Sequence, residues 1–127
     1  MSQARILLLT HRGLGAAFLE VCTHIYGALP DDLEALAPEG DDLASLRQGL
    51  VERITNANAQ SPLLILCDIR GASPANALPA HIDNPWVAVV YGLNLPMLLR
   101  ALGRRGNWQE LCAEILEGAH AGIHTAS

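Results

Sequence analysis

Short apolar runs alternate along the chain with segments in which apolar residues recur every three or four positions. Four of the apolar runs predict buried strands, over residues 5–10, 33–37, 62–67 and 86–91. The segments with helical spacing predict helices over 14–26, from Asp41 or Asp42 to Ile54, over 73–81, from Asn94 towards Arg104, and over 108–119. In the last of these helices the predicted buried face contains Leu111, Cys112, Ile115 and Leu116.

The alternation of strand and helix predicts an α/β fold with a parallel sheet. The strands are almost continuously apolar, as expected when helices cover both faces of a sheet. We therefore predict a doubly wound, mainly parallel four-stranded sheet in the order 2-1-3-4, connected by right-handed crossovers. The 127 residues form a single predicted domain over 1–127, with a frayed tail at about 122–127.

Composition narrows the classes of function. Half of the residues are hydrophobic and 17% are charged, which is typical of a folded globular chain. The formal net charge is −5 and the eight basic residues are scattered, so nucleic-acid binding is not expected. No stretch approaches the roughly 20 apolar residues of a membrane helix, and the N-terminus lacks the pattern of a secretion signal. The three cysteines are far apart, which favours reduced thiols in the cytoplasm over a disulfide framework or a zinc site.

Polar residues follow two of the buried strands at the point where each strand ends. His11 comes after the first strand, and Asp68 comes after the third. In the order 2-1-3-4 these strands are neighbours, and their carboxyl ends meet at the switch point where ligands bind in open sheets. Neighbouring strands lie about 4.8 Å apart. We therefore expect His11 and Asp68 to form a hydrogen bond at the edge of one crevice.

A histidine paired with an aspartate can act as a nucleophile. The carboxylate fixes the imidazole tautomer, frees the other ring nitrogen, and stabilises the cation that forms when that nitrogen is phosphorylated. Gly13 and Gly15 begin one predicted helix, Gly71 and Ser73 begin another, and helix N-termini attract phosphate groups. These residues favour a histidine that accepts a phosphoryl group, although an acid/base catalyst also fits the pair.

Each of these residues alone also fits a purely structural role. A histidine at a strand end is often a polar residue near the surface, and an aspartate there can cap a turn. The glycines permit tight turns, and Ser73 before Pro74 fits a helix N-cap. The joint placement of His11 and Asp68 at the predicted switch point favours function over these separate explanations.

Three segments resemble motifs of one protein family, in the same order along the chain. The first reads ILLLTHRGLGAAFLE (6–20), the second LLILCDIRGASPANAL (63–78) and the third VVYGLNLPMLLRAL (89–102). They resemble the IIA subunits of the mannose family in the bacterial phosphoenolpyruvate-dependent sugar phosphotransferase system. That family has a Thr-His-Gly segment after its first strand, an Asp followed by a Gly-Gly-Ser-Pro turn, and a Gly-x-Asn-x-Pro-Met stretch.

The resemblance implies a phosphocarrier with the same doubly wound fold. His11 would accept the phosphoryl group from the phosphohistidine of the carrier protein HPr, Asp68 would orient it, and a IIB domain would receive it during sugar uptake. The implied phosphoryl-binding positions are Gly13, Leu14, Gly71 and Ser73. The resemblance also implies a cytoplasmic homodimer that needs no metal or organic cofactor and meets the membrane only through the permease subunits.

The chain departs from the family motifs at three positions. Arg12 stands between His11 and the glycine, and Ala72 and Ala75 replace a glycine and a phenylalanine. Because Arg12 and Ala75 depart from the family motifs, they would change which partner docks. Two alternatives stay open: a stand-alone regulatory module in which phosphorylation of His11 controls partner binding without sugar transport, and a small hydrolase or mutase.

Overall fold

Four parallel strands form one sheet at the centre of the structure, a computed structural model that describes residues 3–40 and 42–126. The strands are β1 (Arg5–Leu9), β2 (Leu33–Leu36), β3 (Leu63–Cys67) and β4 (Val87–Tyr91). Their spatial order is β2-β1-β3-β4, and every neighbouring pair is parallel. The order and the parallel pairing predicted from the sequence are therefore confirmed.

Five helices connect and follow the strands in the described part of the chain. They are α1 (Leu14–Tyr26), α2 (Leu43–Asn56), α3 (Ser73–Asn76), α4 (Leu95–Leu102) and α5 (Trp108–Ala121). Residues 123–126 follow α5 without regular secondary structure and are exposed. None of the helices within residues 3–40 and 42–126 is long and apolar enough to cross a membrane.

Local hydrogen bonds explain where three of the helices begin or end. Gly27, at a left-handed φ of 82°, ends α1 and donates its N–H to the Thr23 carbonyl. Asp42 caps α2 by accepting the Ser45 N–H, and Asn94 caps α4 in the same way through the Met97 N–H. Asp41, the other predicted cap of α2, lies outside the described residues.

Helix α3 is shorter than the predicted helix over 73–81. It ends at Asn76, because Pro79 disfavours helical backbone at the residue before it and has no N–H to continue the helix. Ser73 is the first helical residue, and Ala72 occupies the N-cap position without a side-chain hydrogen bond. The prediction that Ser73 is the N-cap is therefore wrong, and its hydroxyl is not used in capping.

Alternate side chains of each central strand pack into cores on opposite faces of the sheet. Ile6 and Leu8 of β1 pack with α1, α4 and α5, whereas Leu7 and Leu9 pack with α2 and the segment around α3. All four side chains are fully buried. Leu116 of α5, predicted to be buried, is 42% exposed because α5 faces the core through Leu111, Ile115 and Ala119.

We expect Leu66→Ala to destabilise the protein by about 2–5 kcal/mol, because Leu66 is fully buried in β3 and its removal leaves a cavity. Leu116→Ala is the matched control, since this leucine lies at the surface of α5; the expected change is within about 0.5 kcal/mol. Urea denaturation of both variants measures the difference. Equal losses of stability would contradict the described core.

Candidate functional site

The carboxyl ends of β1 and β3 bring His11 and Asp68 together. The parallel register pairs Leu9 with Cys67, the last residue of each strand. The next residue, Asp68, donates its N–H to the Leu9 carbonyl at 3.3 Å, so the pairing extends one step beyond the strands. The site therefore begins where the central sheet ends.

Asp68 holds both the ring and the backbone of His11. Its Oδ2 atom lies 2.7 Å from His11 Nδ1 and accepts the His11 backbone N–H at 2.9 Å. Its Oδ1 atom accepts the Ile69 N–H at 2.8 Å. The aspartate side chain is only 8% exposed, whereas the histidine side chain is 54% exposed. The carboxylate is therefore fixed inside the protein while the imidazole reaches solvent.

The hydrogen bonds to Asp68 also determine its charge. Burial raises the pKa of Asp68, but the hydrogen bonds from the His11 amide, the His11 ring and the Ile69 amide outweigh it and hold the pKa below its ordinary value. An ionised carboxylate only accepts hydrogen bonds, so His11 Nδ1 carries the proton of the shared bond. In the neutral ring, Nε2 then has a free lone pair and is available as a nucleophile.

Thr10 anchors the backbone beneath the histidine. It is 1% exposed and is the buried polar side chain of the described core. Its hydroxyl donates to the His11 carbonyl at 2.8 Å and accepts the Gly15 N–H at 2.8 Å. A Cβ atom at Gly15 would lie 2.9 Å from Ala35 Cβ and 3.1 Å from Thr10 Oγ1, so only glycine fits this close approach. The sequence pattern places Thr10 in the first predicted strand and does not indicate this role.

The segment between His11 and α1 forms a tight turn with free N–H groups. Gly13 adopts a left-handed φ of 88° at the N-cap of α1. Leu14 donates its N–H to the His11 carbonyl at 3.2 Å, whereas the N–H groups of Arg12 and Gly13 have no acceptor in the described part of the chain. Two N–H donors just before α1 therefore have no acceptor among the described residues, whereas the Leu14 amide is already engaged.

An open cavity of about 370 Å³ lies beside His11. His11, Arg12 and Ser73 line it, and Pro38 and Leu43 contribute apolar walls. Gly71, at a left-handed φ of 84°, turns the chain between Asp68 and Ser73. The structure thus places His11 and Ser73 at one cavity and Gly71 in the adjoining loop. The phosphoryl-binding role predicted for Gly71 and Ser73 stays a prediction.

Other candidate groups do not join this site. The thiol of Cys67, directly before Asp68, has its pKa raised to about 12 by burial and then by the negative charge of Asp68, so it is not a nucleophile at neutral pH. The three cysteines are free. Among the described residues, no group of three or more His, Cys, Asp or Glu side chains has the arrangement of a metal site.

Comparison of the sequence with protein families identifies the chain over most of its length. Residues 5–117 match the EIIA-man family, described as the fructose IIA component of the phosphotransferase system, or PTS. The chain belongs to this family. It is therefore a IIA component of the PTS, and the resemblance seen in its three motifs is confirmed. A search of curated proteins gives no match.

Solved PTS structures share the fold. The mannose/sorbose-specific IIA subunit from Enterococcus faecalis is 26% identical, with a TM-score of 0.79, and the match covers 100% of this chain and 96% of that one. EIIA from Streptococcus agalactiae is 22% identical, with a TM-score of 0.82 and 96% coverage of both chains. A putative sugar PTS permease from Klebsiella pneumoniae is 23% identical, with a TM-score of 0.81 and coverage of 98% and 91%.

We expect Thr10→Val to destabilise this IIA component by about 1–3 kcal/mol, because the buried Gly15 N–H loses its acceptor while the side-chain shape is kept. Thr23→Val is the matched control, since the Thr23 hydroxyl bonds the Leu19 carbonyl on the exposed face of α1. Urea denaturation gives both free energies of unfolding. If Thr10→Val is no more destabilising than Thr23→Val, the anchoring role is wrong.

We expect the stability difference between the natural protein and Asp68→Asn to depend on pH. The folded-state pKa of Asp68 is lowered, so the stabilisation from its charge is present above the unfolded-state pKa and is lost as pH falls through the folded-state pKa. The difference should shrink as the pH is lowered from about 5 towards 2. Urea denaturation across this range measures it.

Asp83→Asn is the matched control, because Asp83 is exposed and has no ion pair in the described part of the chain. Its effect on stability should be small at every pH in the same range. An Asp68→Asn difference that stays constant down to the lowest pH would show that the His11 contact does not hold the carboxylate in its charged form.

Proposed function

We propose that this PTS component is a phosphocarrier that accepts a phosphoryl group on His11 Nε2 from the phosphohistidine of HPr and passes it to a IIB domain. The observation that supports it is the 2.7 Å contact between His11 Nδ1 and Asp68 Oδ2, with the aspartate buried and the imidazole open to solvent. A phosphoryl group carried between proteins has to be held on a side chain that both partners can reach, and this histidine is exposed.

The proposed transfer exchanges one nitrogen–phosphorus bond for another. The lone pair of His11 Nε2 attacks phosphorus, and the electron pair of the donor bond leaves with the imidazole nitrogen of HPr. His11 Nδ1 keeps its proton, so the phosphorylated ring carries a positive charge next to the Asp68 carboxylate, which stabilises it. The second transfer, to the IIB domain, reverses these roles.

The surroundings of His11 suit a dianionic phosphoryl group. The free N–H groups of Arg12 and Gly13 lie at the start of α1, where the helix dipole favours negative charge. Ser73 lines the same cavity as His11, and its hydroxyl is not used as a helix cap. Phosphoryl transfer depends mainly on alignment and charge stabilisation, and these groups supply both.

The cellular setting belongs to the same proposal. We place the protein in the cytoplasm, where its three free thiols would stay reduced, with membrane contact only through permease subunits of a sugar uptake system. We also expect a homodimer, which light scattering of the purified protein would measure.

We expect phosphoenolpyruvate, enzyme I and HPr from the same organism to add one acid-labile phosphoryl group to the protein, mapped to His11. His11→Gln should abolish the modification, and Asp68→Asn should slow it by about 100-fold, because the charge that stabilises the phosphorylated ring is lost. Intact mass and site mapping read the result. Adding a IIB domain of the same organism should then remove the phosphoryl group.

His81→Gln is the matched control, because His81 is exposed and lies outside the site. This variant should be phosphorylated at the same rate as the natural protein. Full phosphorylation of His11→Gln would show that another histidine is the acceptor. If the natural protein stays unphosphorylated in a mixture where HPr itself is phosphorylated, the phosphocarrier proposal is overturned.

A further inference from the structure

Arg12 directly follows the candidate phosphoryl acceptor, and its side chain has no ion-pair or hydrogen-bond partner among residues 3–40 and 42–126. All eight basic residues of the chain are arginines, and seven of them make a hydrogen bond, an ion pair or a ring contact with described residues. The described part of the chain supplies no such partner for the Arg12 side chain. This is notable because acidic residues outnumber basic ones, by 13 to 8.

The cavity beside His11 is where this side chain lies. Arg12 lines it together with His11 and Ser73, and among the described residues no carboxylate does. Asp68 bonds the histidine through Nδ1, on the other side of the ring from Nε2. Arg12 and His11 therefore line one cavity, and no carboxylate is among its described lining residues.

Arg70 gives an internal comparison. Arg70 lies two positions after Asp68, much as Arg12 directly follows His11, and both arginines are exposed. Its guanidinium, however, lies 5.9 Å from the centre of the Tyr91 ring, in cation–π geometry, and it does not line the cavity. Two arginines that are close in sequence to the His11–Asp68 pair thus differ in whether they line the cavity and whether the side chain has a described partner.

We propose that the Arg12 guanidinium binds the phosphoryl group carried on His11 Nε2. The planar guanidinium offers parallel N–H donors that match two phosphoryl oxygens, and such charge-assisted bonds are among the strongest in proteins. This inference rests on the proposed phosphocarrier function and adds a group to it: Arg12 contacts the transferred phosphoryl group itself, whereas Asp68 acts on the ring.

The equilibrium of phosphoryl transfer from HPr distinguishes this role from partner docking. The equilibrium constant depends only on the free species, so a side chain that merely contacts HPr changes the rates and leaves the constant unchanged. A side chain that binds the phosphoryl group stabilises the phosphorylated protein and changes the constant. We expect Arg12→Gln to shift the equilibrium about 10-fold to 100-fold towards phosphorylated HPr, with Arg12→Lys between it and the natural protein.

Arg70→Gln is the matched control, since it removes the same charge near His11 and should leave the constant unchanged. Urea denaturation should show equal stability for the natural protein and Arg12→Gln, because the Arg12 side chain has no partner to lose in the described structure. An equilibrium constant that Arg12→Gln leaves unchanged, or that both variants shift equally, would overturn the inference.

A second arm uses phosphoramidate, a small phosphoryl donor that needs no protein docking. It should phosphorylate His11 about 10-fold more slowly in Arg12→Gln than in the natural protein, and in Arg70→Gln at the rate of the natural protein. If HPr fails to charge the natural protein while this pattern holds, the phosphocarrier function is wrong and the Arg12 contact stands. If phosphoramidate charges both variants at the natural rate, the Arg12 contact is wrong whatever HPr does.

Discussion

The parallel pairing of β1 with β3 is the constraint on which the site depends. Both strands are buried on both faces, so their register is fixed by the packing of two separate cores. The last pair of that register joins Leu9 to Cys67, and the next hydrogen bond joins the Asp68 amide to the Leu9 carbonyl. A slip of one residue would turn the Asp68 side chain to the opposite face of the sheet and separate it from His11. The sheet therefore sets the geometry of the His11–Asp68 pair directly, without an intervening flexible loop.

The two partners differ in exposure, and the proposed phosphoryl transfer depends on this difference. Asp68 lies inside and collects three hydrogen bonds, which keep it charged in spite of burial. His11 is held through its backbone by Thr10 and Asp68, and through its ring by the contact between Nδ1 and Asp68 Oδ2, so the ring can be exposed and still have a fixed orientation. An exposed side chain usually has to lose conformational freedom when it reacts. Here much of that freedom is already lost in the folded protein.

The fold and the His11–Asp68 pair follow from signals that are local in sequence. Four apolar runs, the helices between them and the polar residue at the end of each central strand are enough to predict one sheet edge. Thr10 is different, because its role requires Gly15 to approach within hydrogen-bond distance, which depends on how α1 packs against β2. The length of α3 has a local cause instead: Ser73 and Pro74 begin the helix, and Pro79, inside the predicted span 73–81, prevents it from continuing.

The charge balance explains why an arginine without a partner among the described residues matters beside the proposed acceptor. A chain with a net charge of −5 repels an approaching phosphoryl dianion at long range, so the attraction has to come from groups near the acceptor. The sequence shows that Arg12 is next to His11, but it cannot show whether a carboxylate neutralises it. Arg53 and Arg105 illustrate the usual outcome, since each pairs with an acidic side chain at 2.6 Å. Arg12 lies at a cavity whose described walls carry no carboxylate, so its charge stays available to an anion that enters from outside.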